Sequence, residues 1–307
     1  MMLKSLLLDF LSLQDHEVIT TIDHRLRAKL RLPQGCRVVE VRGDGKGIFC
    51  SLVEKAEAVL IIAPETDSIL ADLTALVEER GKLLLGSSRE AVIATGDKAI
   101  AYQRLSGFRV PTPETYEIPF CEDPFPAIEH LGYPVVVKPI DGVGCQGVFV
   151  VRKEEEVQPA ISALKRETTW DRFLLQRYIE GVHASVSLIG NGQEALPLTL
   201  NAQEIRGRKR LRYRGGLTPL QHRLQPKAFE NVQGIPSAIK GLKGYFGVDV
   251  VLAEDEAFVI EVNPRLTTSY VGVRKVVKLN LASAILNASQ GSLPEEVPLT
   301  GRARFST

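Results

Sequence analysis

The stretch Pro134-Val-Val-Val-Lys138-Pro-Ile-Asp-Gly142-Val-Gly144-Cys-Gln-Gly147-Val148-Phe-Val-Val151 decides the fold of this chain. Its three glycines spell GxGxxG, which alone says little, because glycines in a loop also serve a tight hairpin. The flanks carry the information. A dinucleotide-binding loop runs from strand into helix, so that the helix N-terminus faces the pyrophosphate. Here valines and a phenylalanine resume after Gly147, so the loop joins two strands. Such a unit is a flap that offers bare backbone N–H groups to phosphates. Protein kinases use one, but place their lysine on the strand after the loop and need HRD and DFG elements, which this sequence lacks along with any Walker A motif. Lys138 precedes the loop, between Val135–Val137 and Pro139. It is either an edge-strand lysine that resists aggregation or a buried cation that needs an anion, and phosphate is the anion expected.

A second constellation lies downstream: Gly247-Val-Asp249-Val-Val-Leu-Ala253, an acidic turn Glu254-Asp-Glu256, then Ala257-Phe-Val-Ile-Glu261-Val-Asn263-Pro-Arg265. Two apolar strands pairing about Asp255 place Asp249 opposite Glu261, with Asn263 on the same face. Facing carboxylates in apolar strands repel, and desolvation drives protons onto them unless a cation binds between. Two carboxylates and an amide are hard oxygen ligands suited to Mg2+, or Mn2+ in its place. The plainer alternative makes both acids edge residues that meet arginines. Arg265 can lend positive charge to a phosphoryl group in transit.

Between these segments, Leu174-Leu-Gln176-Arg-Tyr178-Ile179-Glu-Gly-Val-His183 reads as a strand ending in a turn. Backbone groups near Tyr178 and Ile179, with the Gln176 amide, suit the edge of an adenine ring. His183 can meet the ribose hydroxyls or be a hydrogen-bonded structural histidine. From residue 206 to 214 an arginine stands at every second position, with Lys209 among them, so one face of an extended segment is positive. Arg212 and Arg214 are candidates for an anionic substrate or phosphate; a solvated loop is the alternative.

Composition narrows the classes. Lysine plus arginine total 38 against 37 acidic residues, a net charge of +1, so no global field points to nucleic acid or an anionic membrane. Hydrophobic residues at 44% and charged residues at 24% are globular values. Cys36, Cys50, Cys121 and Cys145 form no CxxC pair, which argues against zinc and against a disulfide framework and leaves them as reduced, space-filling thiols. The leucine-rich residues 1–14 read as an amphipathic helix rather than an export signal or membrane span, so the expected location is cytoplasmic.

Strands are expected at 36–41, 58–63 and 82–85 around a helix at 67–80, then a helix at 99–105 and a loop at 121–126. Further strands are expected at 134–139, 148–151, 173–176, 184–189, 195–200, 246–253 and 257–262, with helices at 154–165 and 271–288 and a loosely ordered tail after 290. This is an α/β (α+β) chain in three parts: 1–95, 96–180 with the glycine flap, and 181–307 with the carboxylate hairpin.

Lys98, Lys138, the glycine flap, Gln176 to Ile179, Asp249 and Glu261-Val-Asn263-Pro-Arg265 resemble, in order and spacing, the ATP-grasp superfamily over roughly residues 95 to 290. The resemblance implies an ATP-grasp fold behind a pre-ATP-grasp lobe. It assigns the α and β phosphates to Lys98 and Lys138, and the flap to Gly142, Gly144 and Gly147. It assigns adenine to Gln176, Tyr178 and Ile179, ribose to His183, magnesium to Asp249, Glu261 and Asn263, and catalysis to Arg265 and Lys138. Glutamate often stands in the family where this chain has Gln176 and His183. Thr20-Thr-Ile-Asp-His-Arg25, Ala63-Pro-Glu65-Thr, Gly86-Ser-Ser and Gly96-Asp-Lys98 are similar to the archaeal tyramine–glutamate ligases of methanofuran biosynthesis. That likeness implies a carbon–nitrogen ligase with a small carboxylate and an amine as substrates, and allows a homodimer. A small-molecule kinase and a non-catalytic ATP-binding module are the alternatives.

Overall fold

The computed structural model describes residues 1–306 apart from 15, 44 and 208. Arg208, one of the alternating arginines, therefore lies outside the described residues. The chain opens with α1 (Met2–Leu11), β1 (Ile19–Asp23), β2 (Arg37–Val41), α2 (Lys46–Lys55), β3 (Ala58–Val59), α3 (Ile69–Glu78), β4 (Leu83–Leu84) and α4 (Arg89–Gly96). The parallel pairs β1–β2 and β3–β4 form the sheets of this region. β3 is shorter than the expected 58–63 because its partner ends early: after Leu85 N–H bonds the Val59 carbonyl, Ser88 N–H turns to the Gly241 carbonyl. α3 starts two residues later than the expected 67, since Asp67 and Ser68 hold left-handed φ values of 54° and 58°.

Next come α5 (Lys98–Gly107), β5 (Thr115–Pro119), α6 (Phe125–Leu131), β6 (Val135–Lys138), β7 (Phe149–Val151), α7 (Val157–Lys165) and β8 (Arg172–Arg177). The strands form one sheet in the order β5-β8-β6-β7. Val135, Val137, Val151, Phe173 and Leu175 pack with residues of α6 and α7 into its core, as alternating β-branched strands under amphipathic helices should. Part of the expected loop 121–126 is helix: α6 begins at Phe125, with Pro126 in its first turn, where a missing N–H costs nothing.

The last part contains β9 (Val182–Asn191), β10 (Ala195–Arg206), β11 (Arg212–Thr218), α8 (Gln225–Gln233), α9 (Ile235–Ala238), β12 (Lys243–Leu252), β13 (Ala257–Asn263), α10 (Tyr270–Val276), α11 (Leu281–Ser289) and β14 (Ala303–Ser306). Its six strands run β13-β12-β9-β10-β11-β14, all antiparallel. Two cores flank this sheet. One gathers residues of α4, α5, α8 and α9, the other residues of α1, α10 and α11.

Two expectations fail here. The helix 271–288 is two helices, because Val277 forms a bridge to Leu299 and Asn280 caps α11 by accepting from Ala282 and Ser283 N–H. The tail after 290 is not loose: β14 pairs with β11 from Gly215↔Ser306 to Thr218↔Ala303 and seals the sheet edge. The four cysteines are free as expected, but none is core filling; Cys121 is exposed and the others are half-buried.

Candidate active site

The carboxylate hairpin forms the floor of a cleft between the two larger sheets. Near its turn the register is Leu252↔Ala257, Val251↔Phe258 and Val250↔Val259; beyond a bulge it becomes Asp249↔Glu261 and Gly247↔Asn263. Without that extra residue on β13, Asp249 would face Ile260, so the bulge creates the carboxylate pair. Burial, then the charge of Glu261, pushes the Asp249 carboxyl up to about 7, against hydrogen bonds from Gln203 and Asn263 and the charge of Arg265. Gln203 Nε2 donates to Asp249 Oδ1 at 2.8 Å. Carboxylates this costly to ionise together fit a hard cation between them. Among the described residues no three His, Cys, Asp or Glu side chains cluster as a metal site. Two carboxylates and the Asn263 amide would leave Mg2+ places for water and phosphate oxygens.

Two lysines reach this floor from above. Asp97 caps α5 by accepting from Ala99 and Ile100 N–H, which sets Lys98 at the first helical position. Lys98 Nζ lies 3.2 Å from Glu261 Oε1 and donates to the Gly142 carbonyl at 3.0 Å, tying flap to floor. Lys138 is 5% exposed, and desolvation drives its ammonium down to about 8, opposed by Glu261 and reinforced by Lys98. Its Nζ donates to Gln176 Oε1 at 3.0 Å, while Gln176 Nε2 donates to Thr115 Oγ1 at 2.8 Å. One N–H and one oxygen lone pair of the Gln176 amide are engaged in this way, so Gln176 orients Lys138 while still lining the cleft.

A pH dependence follows. Phosphates favour the ammonium form of Lys138, which the free protein holds below about pH 8 and loses above it. Nucleotide binding should then take up a proton at higher pH, and Kd should rise by up to about tenfold per unit above pH 8. Calorimetric titrations of ATP at pH 7.5 and 9.5, with Lys138→Met as the pH-insensitive control, check this.

The flap crosses above. Gly142, Gly144 and Cys145 have φ of 106°, 65° and 64° and line the cleft. Gly147, expected to contact phosphate, is not among the lining residues. It packs behind the flap, where an added Cβ would sit 3.0 Å from Leu164 and 3.3 Å from Pro139. Tyr178, Ile179 and Val136 line the hinge side, with Val251 and Ile260 opposite, giving an apolar slot. His183 lines the cleft too, and burial lowers its pKa, so it is a neutral imidazole near pH 7.

The arginine run departs from its expected shape. Instead of one extended positive face it is a hairpin, turned at Gly207 with φ 114°, that pairs Arg206 with Arg212. Its tip joins the flap strand: Val150 N–H bonds the Lys209 carbonyl at 2.9 Å and Leu211 N–H bonds the Val148 carbonyl at 3.2 Å. Lys209 and Arg210 pair with Glu156 and Glu167 of the flap region, and Arg206 pairs with Glu204. Arg212 and Arg214 are exposed and do not line the cleft; strand alternation turns Tyr213 into it instead.

Arg265 does line the cleft, held by a residue whose role the sequence did not disclose. Its Nε donates to Glu65 Oε2 at 2.8 Å, both side chains mostly buried. Glu65 stands 200 positions away, in the Ala63-Pro-Glu-Thr stretch, and only the packing of the N-terminal elements onto β13 joins the two. Breaking a buried pair from one side costs about 3 kcal/mol. Glu65→Ala should therefore lower the melting temperature by several degrees and lower turnover by releasing Arg265, as scanning calorimetry and a rate assay would show.

The ATP-grasp domain family matches residues 95–269 and the pre ATP-grasp 3 domain family residues 16–92. Tyramine–L-glutamate ligase of Methanocaldococcus fervens is 32% identical over 280 residues, covering 89% of this chain and 81% of that protein. An ATP-grasp superfamily protein from Archaeoglobus fulgidus superposes with a TM-score of 0.64 at 26% identity, covering 92% of this chain and 78% of that one. The biotin carboxylase domain of the Hydrogenobacter thermophilus 2-oxoglutarate carboxylase, solved with MgADP, superposes at 0.77 with 17% identity, covering 93% and 68%. With the family match over residues 95–269 and 32% identity along most of the chain, the chain belongs to the ATP-grasp family.

Proposed function

We propose that the chain, an ATP-dependent amide-forming ligase, joins the γ-carboxylate of glutamate to the amine of tyramine, the substrates named for its Methanocaldococcus relative. The observation that carries the catalytic half is the cleft itself: the flap, Lys98, Lys138 and the Asp249–Glu261 hairpin converge on one space. In this assignment Lys98 and Lys138 hold the α and β phosphates, and the flap N–H groups cover them. Tyr178 and Ile179 bound the base, and His183 meets the ribose. Asp249, Glu261 and Asn263 would hold Mg2+, or Mn2+ in its place; when bound, the ion neutralises phosphate charge. Arg265, braced by Glu65, faces the transferring group. A carboxylate oxygen attacks the γ-phosphorus and ADP leaves; the amine nitrogen then attacks the acyl carbon, loses a proton and expels phosphate. Closure of the flap keeps water from the acyl phosphate.

A small-molecule kinase would need the basic segment near Arg210 to hold a phosphorylated substrate. Lys209 and Arg210 are instead spent on Glu156 and Glu167, and Arg212 and Arg214 face solvent. The chain divides for these roles into 1–95, a flap part at 96–180 and a hairpin part at 181–307. Among the described residues no helix is long and apolar enough to cross a membrane. Protein supplied with ATP, Mg2+, L-glutamate and tyramine should release ADP and phosphate in equal amounts and only when both substrates are present. Amine-independent release, or a stable phosphate ester, would overturn the assignment.

A further inference from the structure

The inward turn of Tyr213 gives the hairpin a part in the site that its arginines do not have. Tyr213 pairs with Ile205 across β10–β11, and both residues line the cleft. The tyrosine is half-buried, and its hydroxyl makes no hydrogen bond to any described residue. Burial, and then the charge of Asp249, holds the phenol well above its ordinary pKa, so it is a neutral donor at every working pH. Tyr213 shares the lining of the cleft with Asp249 of the floor and Cys145 of the flap. Gln203, on the same strand as Ile205, fastens Asp249 from the side at 2.8 Å.

An anion entering this end finds few free cations. Of those lining the cleft, Lys98 is paired with Glu261, Arg177 with Glu114 and Arg265 with Glu65, while Lys138 donates to Gln176. Ser185, which faces Asp249 across β9–β12, and Thr267, Thr268 and Ser269 complete this end with hydroxyls. A carboxylate placed beside Asp249 and Glu261 is repelled by them unless a donor that brings no acid of its own holds it. A neutral phenol with an unused O–H answers that requirement.

We propose that Tyr213 is the carboxylate-binding residue of the acceptor end: its hydroxyl donates to one oxygen of the substrate carboxylate, leaving the other oxygen free to attack the γ-phosphorus. The phenol keeps its proton throughout. This rests on the ligase chemistry proposed above, and it moves the acceptor site from the exposed arginines to the inward face of the same strand.

The test is a calorimetric titration of L-glutamate into protein saturated with Mg2+ and a non-hydrolysable ATP analogue. Tyr213→Phe removes only the hydroxyl, and should weaken glutamate binding by about tenfold, the value of one hydrogen bond to a charged group. Affinity for the ATP analogue should stay within about twofold of wild type. Arg212→Ala, on the outward face, should leave both affinities unchanged. Equal glutamate affinity in wild type and Tyr213→Phe overturns the assignment of Tyr213 alone, as does a parallel loss of nucleotide affinity or a loss caused by Arg212→Ala. A wild-type protein that binds the nucleotide but not glutamate overturns the glutamate ligase proposal, and the Tyr213 assignment with it.

Discussion

Glu261→Gln should lower the rate of ADP release by on the order of 10²-fold or more, while leaving the protein folded and its melting temperature close to that of wild type. The two halves have one cause. Asp249 and Glu261 face each other on the bulged hairpin, and their mutual repulsion contributes to the raised pKa of Asp249. A glutamine at 261 keeps the shape and a coordinating oxygen but halves the local negative charge. It removes repulsion from the free protein and removes the charge a divalent ion needs, and loss of metal assistance costs several kcal/mol of transition-state stabilisation. The ion pair to Lys98 is lost as well, and with side chains only 10% and 25% exposed that loss offsets the relief of repulsion. Thermal melts with and without ATP and Mg2+ separate the effects. The metal-dependent rise in melting temperature should disappear, and the melting temperature of the free protein should move little. A variant with wild-type turnover would remove Glu261 from the metal site.

Lys138→Met should weaken ATP binding by on the order of 10²-fold, again without loss of fold. The ammonium is buried among apolar strands and is already disfavoured there, as its fall to about 8 shows. Charge in such a place costs stability unless an anion arrives, so an apolar side chain of similar length relieves the free protein. Gln176 Oε1 then lacks its donor, which costs about 1 to 3 kcal/mol and offsets that relief. The melting temperature of the free protein should therefore move little, whereas the stabilisation produced by ATP should nearly vanish. A variant that melts much earlier but binds ATP normally would make Lys138 a structural residue.

Much of this architecture is legible before any coordinates. Periodicity and turn residues place seven of the ten strands of the two larger sheets, as apolar or β-branched runs bounded by turns; β5 and β14 go unforeseen, and β11 is foreseen only as part of an extended arginine run. The flap is legible because strand follows glycine loop on both sides of Gly142-Val-Gly144, and the lysine before it has only apolar neighbours in sequence. Errors fall where partners are distant. β14 is missed because four residues, Ala303 to Ser306, carry no signal strong enough to predict a strand until β11 offers its edge. The break between α10 and α11 depends on a bridge to Leu299 that local propensity cannot foresee.

The same division runs through the site. From the sequence alone come the chemistry of the parts: a phosphate-binding flap, a lysine that needs an anion, and two acids and an amide that need a cation. Residue type and local spacing suffice for these, since the cost of burying a charge is intrinsic to the group. The hairpin spacing also sets Asp249 opposite Glu261, although the fold reaches that register through a bulge. Beyond the hairpin, only the tertiary structure decided which groups meet. A turn at Gly207 folds the arginine run back so that Tyr213, not Arg212 or Arg214, enters the cleft. The contact of Glu65 with Arg265 spans 200 positions. Side-chain direction in a strand reverses with every residue, so one inserted residue or one turn exchanges the inward and outward sets, and no periodicity in the sequence marks which exchange the fold will make.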